Sequence, residues 1–152
     1  QSLAIIEYLD ETHPEPPLLP SDAAGRARVR ALAQDIACEI HPLNNLRTLQ
    51  YLKRQLGQSE EQVSTWYRYW IADGLAKLEA DLLRGAGGKF CHGDAPTMAD
   101  CCLVPQVFNA KRFHCPLDAY PATMRVFDEL MKLPAFDAAQ PSKQPDAARA
   151  IG

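Results

Sequence analysis

Three stretches of this chain hold side chains whose types and spacing could do chemistry. In His41-Pro42-Leu43-Asn44-Asn45-Leu46-Arg47, an imidazole, two carboxamides and a guanidinium follow in quick succession. On a continuous helix turning about 100° per residue, His41, Asn45 and Thr48 share one face. Arg47 lies about 120° from His41, with a side chain long enough to swing to the same side. Gln1-Ser2 opens an apolar-periodic segment, and a hydroxyl beside free backbone N–H groups at a helix N-terminus makes an anion site. Lys111-Arg112 closes a nearly apolar segment, and a guanidinium can hold a carboxylate through two parallel hydrogen bonds. Taken singly, each has a plainer reading. Ser2 can be an N-cap, His41 can precede a kink, and cations at a helix end suit the dipole.

The cysteines offer a competing chemistry. Cys38, Cys91, Cys101, Cys102 and Cys115 are an odd set without regular spacing, which makes a poor disulfide framework. Cys91-His92, Cys101-Cys102 and His114-Cys115 put soft ligands side by side, whereas structural zinc takes ligands about two to four residues apart. No metal site is expected. Free thiols suit a reducing, cytoplasmic setting. Trp66, Tyr67, Tyr69 and Trp70 read as core and interface. Thr97 and Asp100 have the spacing of a capping box, a structural task.

Lysine and arginine total 16 against 19 aspartate and glutamate, a net charge of −3, so no nucleic-acid partner is expected. No apolar run approaches the roughly 18 residues of a membrane span, so no membrane partner is expected either. No secretory leader is visible, and a chain that opens without Met suggests a cut start. With 47% apolar and 23% charged residues, the 152-residue chain is of ordinary globular composition and one-domain length. Its 22 alanines and 18 leucines outnumber its 16 Val, Ile and Thr residues, which predicts an all-α fold.

The elements that must position these groups can be read from apolar periodicity and punctuation. Gln1–Thr12 reads as a short amphipathic helix, stopped by His13-Pro14-Glu15-Pro16-Pro17. Ser21 and Asp22 can cap a long helical stretch running to Gly57, with a kink at Pro42. Ser59 opens the next helix, which ends over Gly85 to Gly88. Thr97 starts a helix apolar on most sides, predicting a buried central position. Pro121 opens another helix, Pro134–Ala139 adds one turn, and the chain beyond Pro141 is polar and frayed.

Four segments taken together resemble one family. They are Gln1-Ser2-Leu3-Ala4-Ile5-Ile6-Glu7-Tyr8-Leu9, Ile40 to Arg47, Gly93-Asp94-Ala95-Pro96-Thr97-Met98-Ala99-Asp100, and Leu103-Val104-Pro105-Gln106-Val107-Phe108-Asn109-Ala110-Lys111-Arg112-Phe113. The family is the zeta-class glutathione transferases, which include the maleylacetoacetate and maleylpyruvate isomerases. The first and third segments are generic to cytosolic glutathione transferases, and the second and fourth are specific to the isomerases. The resemblance implies an all-α, glutathione-transferase C-terminal-like helical bundle whose thioredoxin-like N-terminal domain is missing. On that reading residues 1–13 are the last helix of the missing domain, 14–20 a linker, 21–140 the helical C-terminal domain and 141–152 a tail. Helix 1–13 would then carry an apolar face left without its sheet.

The same resemblance implies glutathione as cofactor, bound by Gln1, Ser2, His41, Asn45, Leu46 and Arg47, with Leu46 contributing backbone or packing only. It implies a small dicarboxylic substrate held by Arg47 and Arg112. The implied reaction is cis–trans isomerisation of maleylacetoacetate to fumarylacetoacetate in tyrosine and phenylalanine breakdown. Maleylpyruvate isomerisation and general glutathione transfer are alternatives within the family, and a non-catalytic helical interaction module is one outside it. The thiol-activating serine motif falls in the missing part, so no catalytic residue is expected in this chain, and the chain alone is expected to be inactive. The whole enzyme is expected to be a homodimer.

Overall fold

The structure, a computed structural model, describes residues 1–85 and 88–147. Ala86 and Gly87, within the stop expected at 85–88, and residues 148–152 of the expected tail lie outside the described residues. The described chain is mostly helical. Its elements are α1 (Ser2–Thr12), α2 (Ala23–Gln34), a π-helical stretch (Asp35–Ile40), α3 (His41–Asn44), α4 (Leu46–Arg54), α5 (Glu60–Arg84), α6 (Met98–Arg112), α7 (Pro121–Met131), α8 (Pro134–Ala138) and a 3-10 turn (Pro141–Lys143).

Local capping chemistry sets most of the boundaries. The Asp22 carboxylate accepts the Gly25 N–H at 2.7 Å and starts α2. Ser59 and Gln62 satisfy each other's backbone N–H groups at the start of α5. At α6, Asp100 is fully buried and accepts both the N–H and the hydroxyl of Thr97 at 2.7 Å. It also accepts the N–H of Cys91 at 2.9 Å, so the same carboxylate fastens the preceding loop. Buried Glu79 of α5 acts likewise on α7, accepting the N–H of Ala122 and of Thr123 at 2.8 Å and the Thr123 hydroxyl at 2.7 Å.

The core gathers on α6, as its apolar circumference predicts. Met98, Ala99, Leu103, Val107 and Ala110 are buried among Val29 and Leu32 of α2, Ile71, Leu75 and Leu78 of α5, and Val126 and Leu130 of α7. Sealing such side chains from water stabilises the fold by roughly 1.5–3 kcal/mol each.

The stretch from Ser21 to Gly57 differs from the single kinked helix that periodicity predicts. Pro42 has no N–H to donate, and its ring crowds the carbonyl four residues back. The chain before it winds wider, as a π-helix over Asp35–Ile40. The chain after it leaves helical geometry altogether at Asn45 (ψ 161°) and restarts as α4. The Thr48 hydroxyl donates to the Pro42 carbonyl, and the Trp66 indole N–H to the Leu43 carbonyl, both at 2.7 Å. Fully buried Ile40 lies against Gly74 of α5, where a Cβ would overlap its side chain. These contacts dock the broken segment on α5.

The first helix packs by one face on the rest of the described chain. Leu3 and Ile6 pack on the core. The Arg30 Nε–H donates to Glu7 at 2.6 Å, and the Leu18 N–H donates to Asp10 at 2.6 Å. The Met98 N–H donates to the Leu18 carbonyl at 2.9 Å, which ties the proline linker to α6. Ile5, Tyr8 and Leu9 are exposed on its other face. Helix α1 is an integrated part of the fold.

Candidate functional site

A cleft of about 630 Å³ opens between α1, the broken segment and α6. Gln1, Ser2, Leu3 and Ile6 line it from α1, and Ile36, Ala37, Cys38, His41, Pro42, Asn45 and Arg47 from the opposite wall. Cys101, Cys102, Pro105, Gln106 and Asn109 of α6 form the floor. Five residues singled out from sequence, Gln1, Ser2, His41, Asn45 and Arg47, are therefore brought together. Leu46 is 69% exposed and does not line the cleft. Arg112 does not line it either. It sits at the end of α6, one turn beyond Asn109, with its guanidinium 5.9 Å from the Phe113 ring centre.

The break at Asn45 explains this gathering better than a shared helix face does. The Asn45 carboxamide oxygen accepts the Thr48 N–H at 3.0 Å, which starts α4. Arg47 then lies in the first turn of a new helix, exposed and without an ion pair among the described residues. Ser2 is not an N-cap, since Gln1 holds that position without a side-chain bond and Ser2 is the first helical residue. The first N–H groups of α1 have no intrahelical acceptor, and they carry the positive end of its dipole. With Arg47 on the other wall and no carboxylate among the lining residues, the cleft favours anions.

The floor is drier. Gln106 is only 4% exposed, yet its amide makes no side-chain hydrogen bond among the described residues. Gln106 and Asn109 were not singled out from sequence. Their signal is two carboxamides three residues apart on an otherwise apolar helix, a spacing that places them on one face. Pro105 lies between them and Cys101, and its missing N–H leaves the Cys101 carbonyl without its helical partner.

The floor thiols are not nucleophiles. Burial, then Asp100, pushes Cys101 up to about 11. Burial, then Cys101 and Cys38, pushes Cys102 up to about 12. Both stay protonated at neutral pH. Cys38 is exposed. Among the described residues no group of three or more His, Cys, Asp or Glu side chains could hold a metal ion, and no helix is long and apolar enough to cross a membrane.

A second cleft of about 430 Å³ lies between α2, the π-helical stretch and α5. Its lysine and aspartates pair with each other, while Glu39 and Arg28 make no ion pair among the described residues. Lys77 pairs with Asp35 at 2.5 Å and Asp81 at 3.3 Å, and Arg28 donates to the Asp81 carbonyl at 2.8 Å.

Residues 58–136 match the family profile described as glutathione S-transferase, C-terminal domain. The chain belongs to the glutathione transferases. It is 52% identical over 147 residues to the "probable maleylacetoacetate isomerase" of Vibrio cholerae, covering 97% of this chain and 68% of that one. A solved bacterial zeta-class glutathione transferase, a maleylpyruvate isomerase in its holo form, superposes with TM-score 0.94 at 48% identity, over 96% of this chain and 69% of that chain. The maleylacetoacetate isomerase of Anaeromyxobacter dehalogenans, solved with dicarboxyethyl glutathione and citrate in the active site, superposes with TM-score 0.91 at 48% identity, over 97% of this chain and 65% of that chain. Homology thus places the chain with the zeta-class maleylacetoacetate isomerases.

Two expectations change here. The fold class was expected to be a bundle defined by a missing thioredoxin-like domain. With 97% of the chain matched, α1 tied into the core and the superposition extending across both, the fold is described instead as mostly helical and glutathione-transferase-like. The chain spans about two thirds of the length of these relatives. The expected inactivity of the chain alone finds no support, since the relatives matched over nearly all of it are isomerases.

Proposed function

We propose that the protein catalyses glutathione-dependent cis–trans isomerisation of maleylacetoacetate, with the cleft between α1 and α6 as the binding site. The observation that carries this reading is the charge layout of the cleft. The N-terminal end of α1 with the exposed Ser2 and the exposed Arg47 line one cleft, with no carboxylate among its lining residues. Glutathione fits this arrangement, because it carries carboxylates at its ends and neutral amides between. Gln1, Ser2, His41, Asn45 and Arg47 would hold it, with Leu46 beside them on the rim. When bound, glutathione supplies a thiolate that joins the cis double bond, lets it rotate as a single bond and leaves, with no net proton transfer.

The chain's own residues bind, orient and exclude water. The α1 N-terminus and Ser2 hold an anionic group through N–H and hydroxyl donors. Arg47 holds a second, and Arg112, one turn past Asn109 and outside the lining, is the candidate to reach a substrate carboxylate. Asn45 keeps Arg47 in place by starting α4. The buried side chains of Ile36 and Cys102 lower the local dielectric, which strengthens the polar contacts made beside them. The functional unit is a homodimer in this reading.

Maleylpyruvate is the second substrate to consider, because the superposed holo structure at TM-score 0.94 is a maleylpyruvate isomerase. Calorimetric titration with glutathione, followed by chromatographic product analysis on each cis substrate, tests the proposal. Saturable glutathione binding with fumarylacetoacetate as product supports it. Binding without isomerisation of either substrate sinks it.

A further inference from the structure

We infer that Gln106 is a catalytic residue of this cleft, its side-chain N–H donating to the ketone oxygen of the substrate as negative charge gathers there. The inference rests on the isomerase reading above and deepens it.

Buried carboxamides are nearly always hydrogen-bonded. Gln106 is more than nine-tenths buried and lines the cleft, and its amide has no hydrogen-bond partner among the described residues. Its amide differs from that of Asn44, whose nitrogen and oxygen are both sealed in without a partner. Gln106 lines the cleft, so its amide is within reach of a ligand bound there. Its surroundings also matter. Beside it among the lining residues Ile36 and Cys102 are buried, whereas Arg47, His41, Gln1 and Ser2 are exposed.

A dicarboxylate anchored at the rim would lay its neutral middle, the ketone and double bond, over this floor. Electrons displaced from the double bond by the incoming thiolate reach the ketone oxygen and return when the thiolate departs. No proton is transferred in sum, so the floor needs a donor rather than an acid. A neutral carboxamide meets that need without the desolvation cost of a buried charge. Its hydrogen bond strengthens as the acceptor becomes anionic.

The test compares the protein with Gln106→Met and Gln106→Glu. Isomerisation kcat should fall about 100-fold or more in Gln106→Met, as for loss of one donor to a developing oxyanion, with KM little changed. Gln106→Glu, a carboxylate facing a developing anion, should be worse. Glutathione affinity by calorimetry and the thermal midpoint should stay as in the unmodified protein. A readout independent of turnover uses the saturated dicarboxylate diketone, which cannot isomerise. Its ketone stretch should shift to lower frequency on binding, and Gln106→Met should abolish the shift. Equal losses in glutathione affinity and kcat would assign Gln106 to the cofactor and overturn the inference. An unchanged kcat or an unaltered ketone shift in Gln106→Met would also overturn it while leaving the isomerase reading standing. Unmodified protein that binds glutathione but isomerises neither substrate would overturn both.

Discussion

Asn45 accepts the backbone N–H of Thr48 through its carboxamide oxygen at 3.0 Å, so one residue both lines the cleft and starts α4. Cap and site can be separated by substitution. Asn45→Ala should cost about 1 kcal/mol of stability and weaken glutathione binding together. Asn45→Asp keeps the cap, because the two residues cap equally well, but sets a negative charge in an anion-seeking cleft. Thermal melts should therefore be near normal for Asn45→Asp while calorimetric affinity falls. A normal affinity would show that Asn45 serves only the fold.

Asp100 should be the most costly polar residue to replace. Asp100→Ala leaves the Cys91 N–H, the Thr97 N–H and the Thr97 hydroxyl without their acceptor in a buried site. At about 1–3 kcal/mol for each stranded group, the loss should be about 3 kcal/mol or more. Urea unfolding with an unchanged m-value would measure it. A loss below about 1 kcal/mol would mean that water replaces the carboxylate.

Gly74→Ala ought to run against helix propensity. In a helix interior the change normally stabilises by up to about 1 kcal/mol. Here the added methyl overlaps Ile40, which is fully buried, and overpacking of this kind costs about 1–3 kcal/mol. Combining it with Ile40→Val should recover part of the loss, a coupling that a double-mutant cycle reads directly.

The buried thiols give a pH dependence of definite sign. Cys101 and Cys102 titrate at about 11 and about 12 when folded, against an ordinary value of 9.0. Between these limits the unfolded chain releases protons that the folded chain keeps, so stability falls as pH rises. Their contribution is whole below the ordinary thiol value and is lost through the folded values. Thermal midpoints should drop on going from about pH 8 to about pH 10, and Cys101→Ala should flatten the drop. In the folded protein an alkylating reagent should take exposed Cys38 first.

The two arginines should differ. Arg47 lines the cleft and Arg112 stands beside Phe113 outside it. Arg47→Ala should lower kcat/KM for the dicarboxylate more than Arg112→Ala does, with Arg→Lys recovering only part in each case. Conjugation of a neutral electrophile, run alongside, separates the roles. If Arg112→Ala lowers both rates equally, it supports cofactor or fold and is no carboxylate clamp.

Local signals made much of the fold readable in sequence. Asp22, Ser59 and Thr97 each act within three residues, and the caps they predict are the caps found. The buried character of α6 was visible because ten of its fifteen residues, counting Pro105, are apolar and spread over most of its circumference. The break at Asn45 was not, since the apolar periodicity runs on past it and the competing bonds, Thr48 to Pro42 and Trp66 to Leu43, are not periodic features. His41, Asn45 and Arg47 stood out by residue type, yet the continuous helix used to align them does not exist. Gln106 stayed hidden because a glutamine on a helix has no chemistry until the neighbouring elements bury it. The role of Glu79 at α7 was hidden likewise, as its partners lie more than forty residues away.

The π-helical stretch from Asp35 to Ile40 winds more residues into its turn than an α-helix would. That surplus is taken up within the stretch itself, so the chain enters α3 in nearly the phase that one residue fewer at α-helical winding would give. Winding all six residues as α-helix would instead rotate the downstream chain by about 100°. His41 and Asn45 would then be carried off the cleft wall with their identities untouched. The cleft thus depends on a count of residues as well as on their kinds. A one-residue gap between positions 35 and 40 in a related sequence should go with a plain α-helix and an intact cleft, whereas straightening the stretch at full length should be disabling.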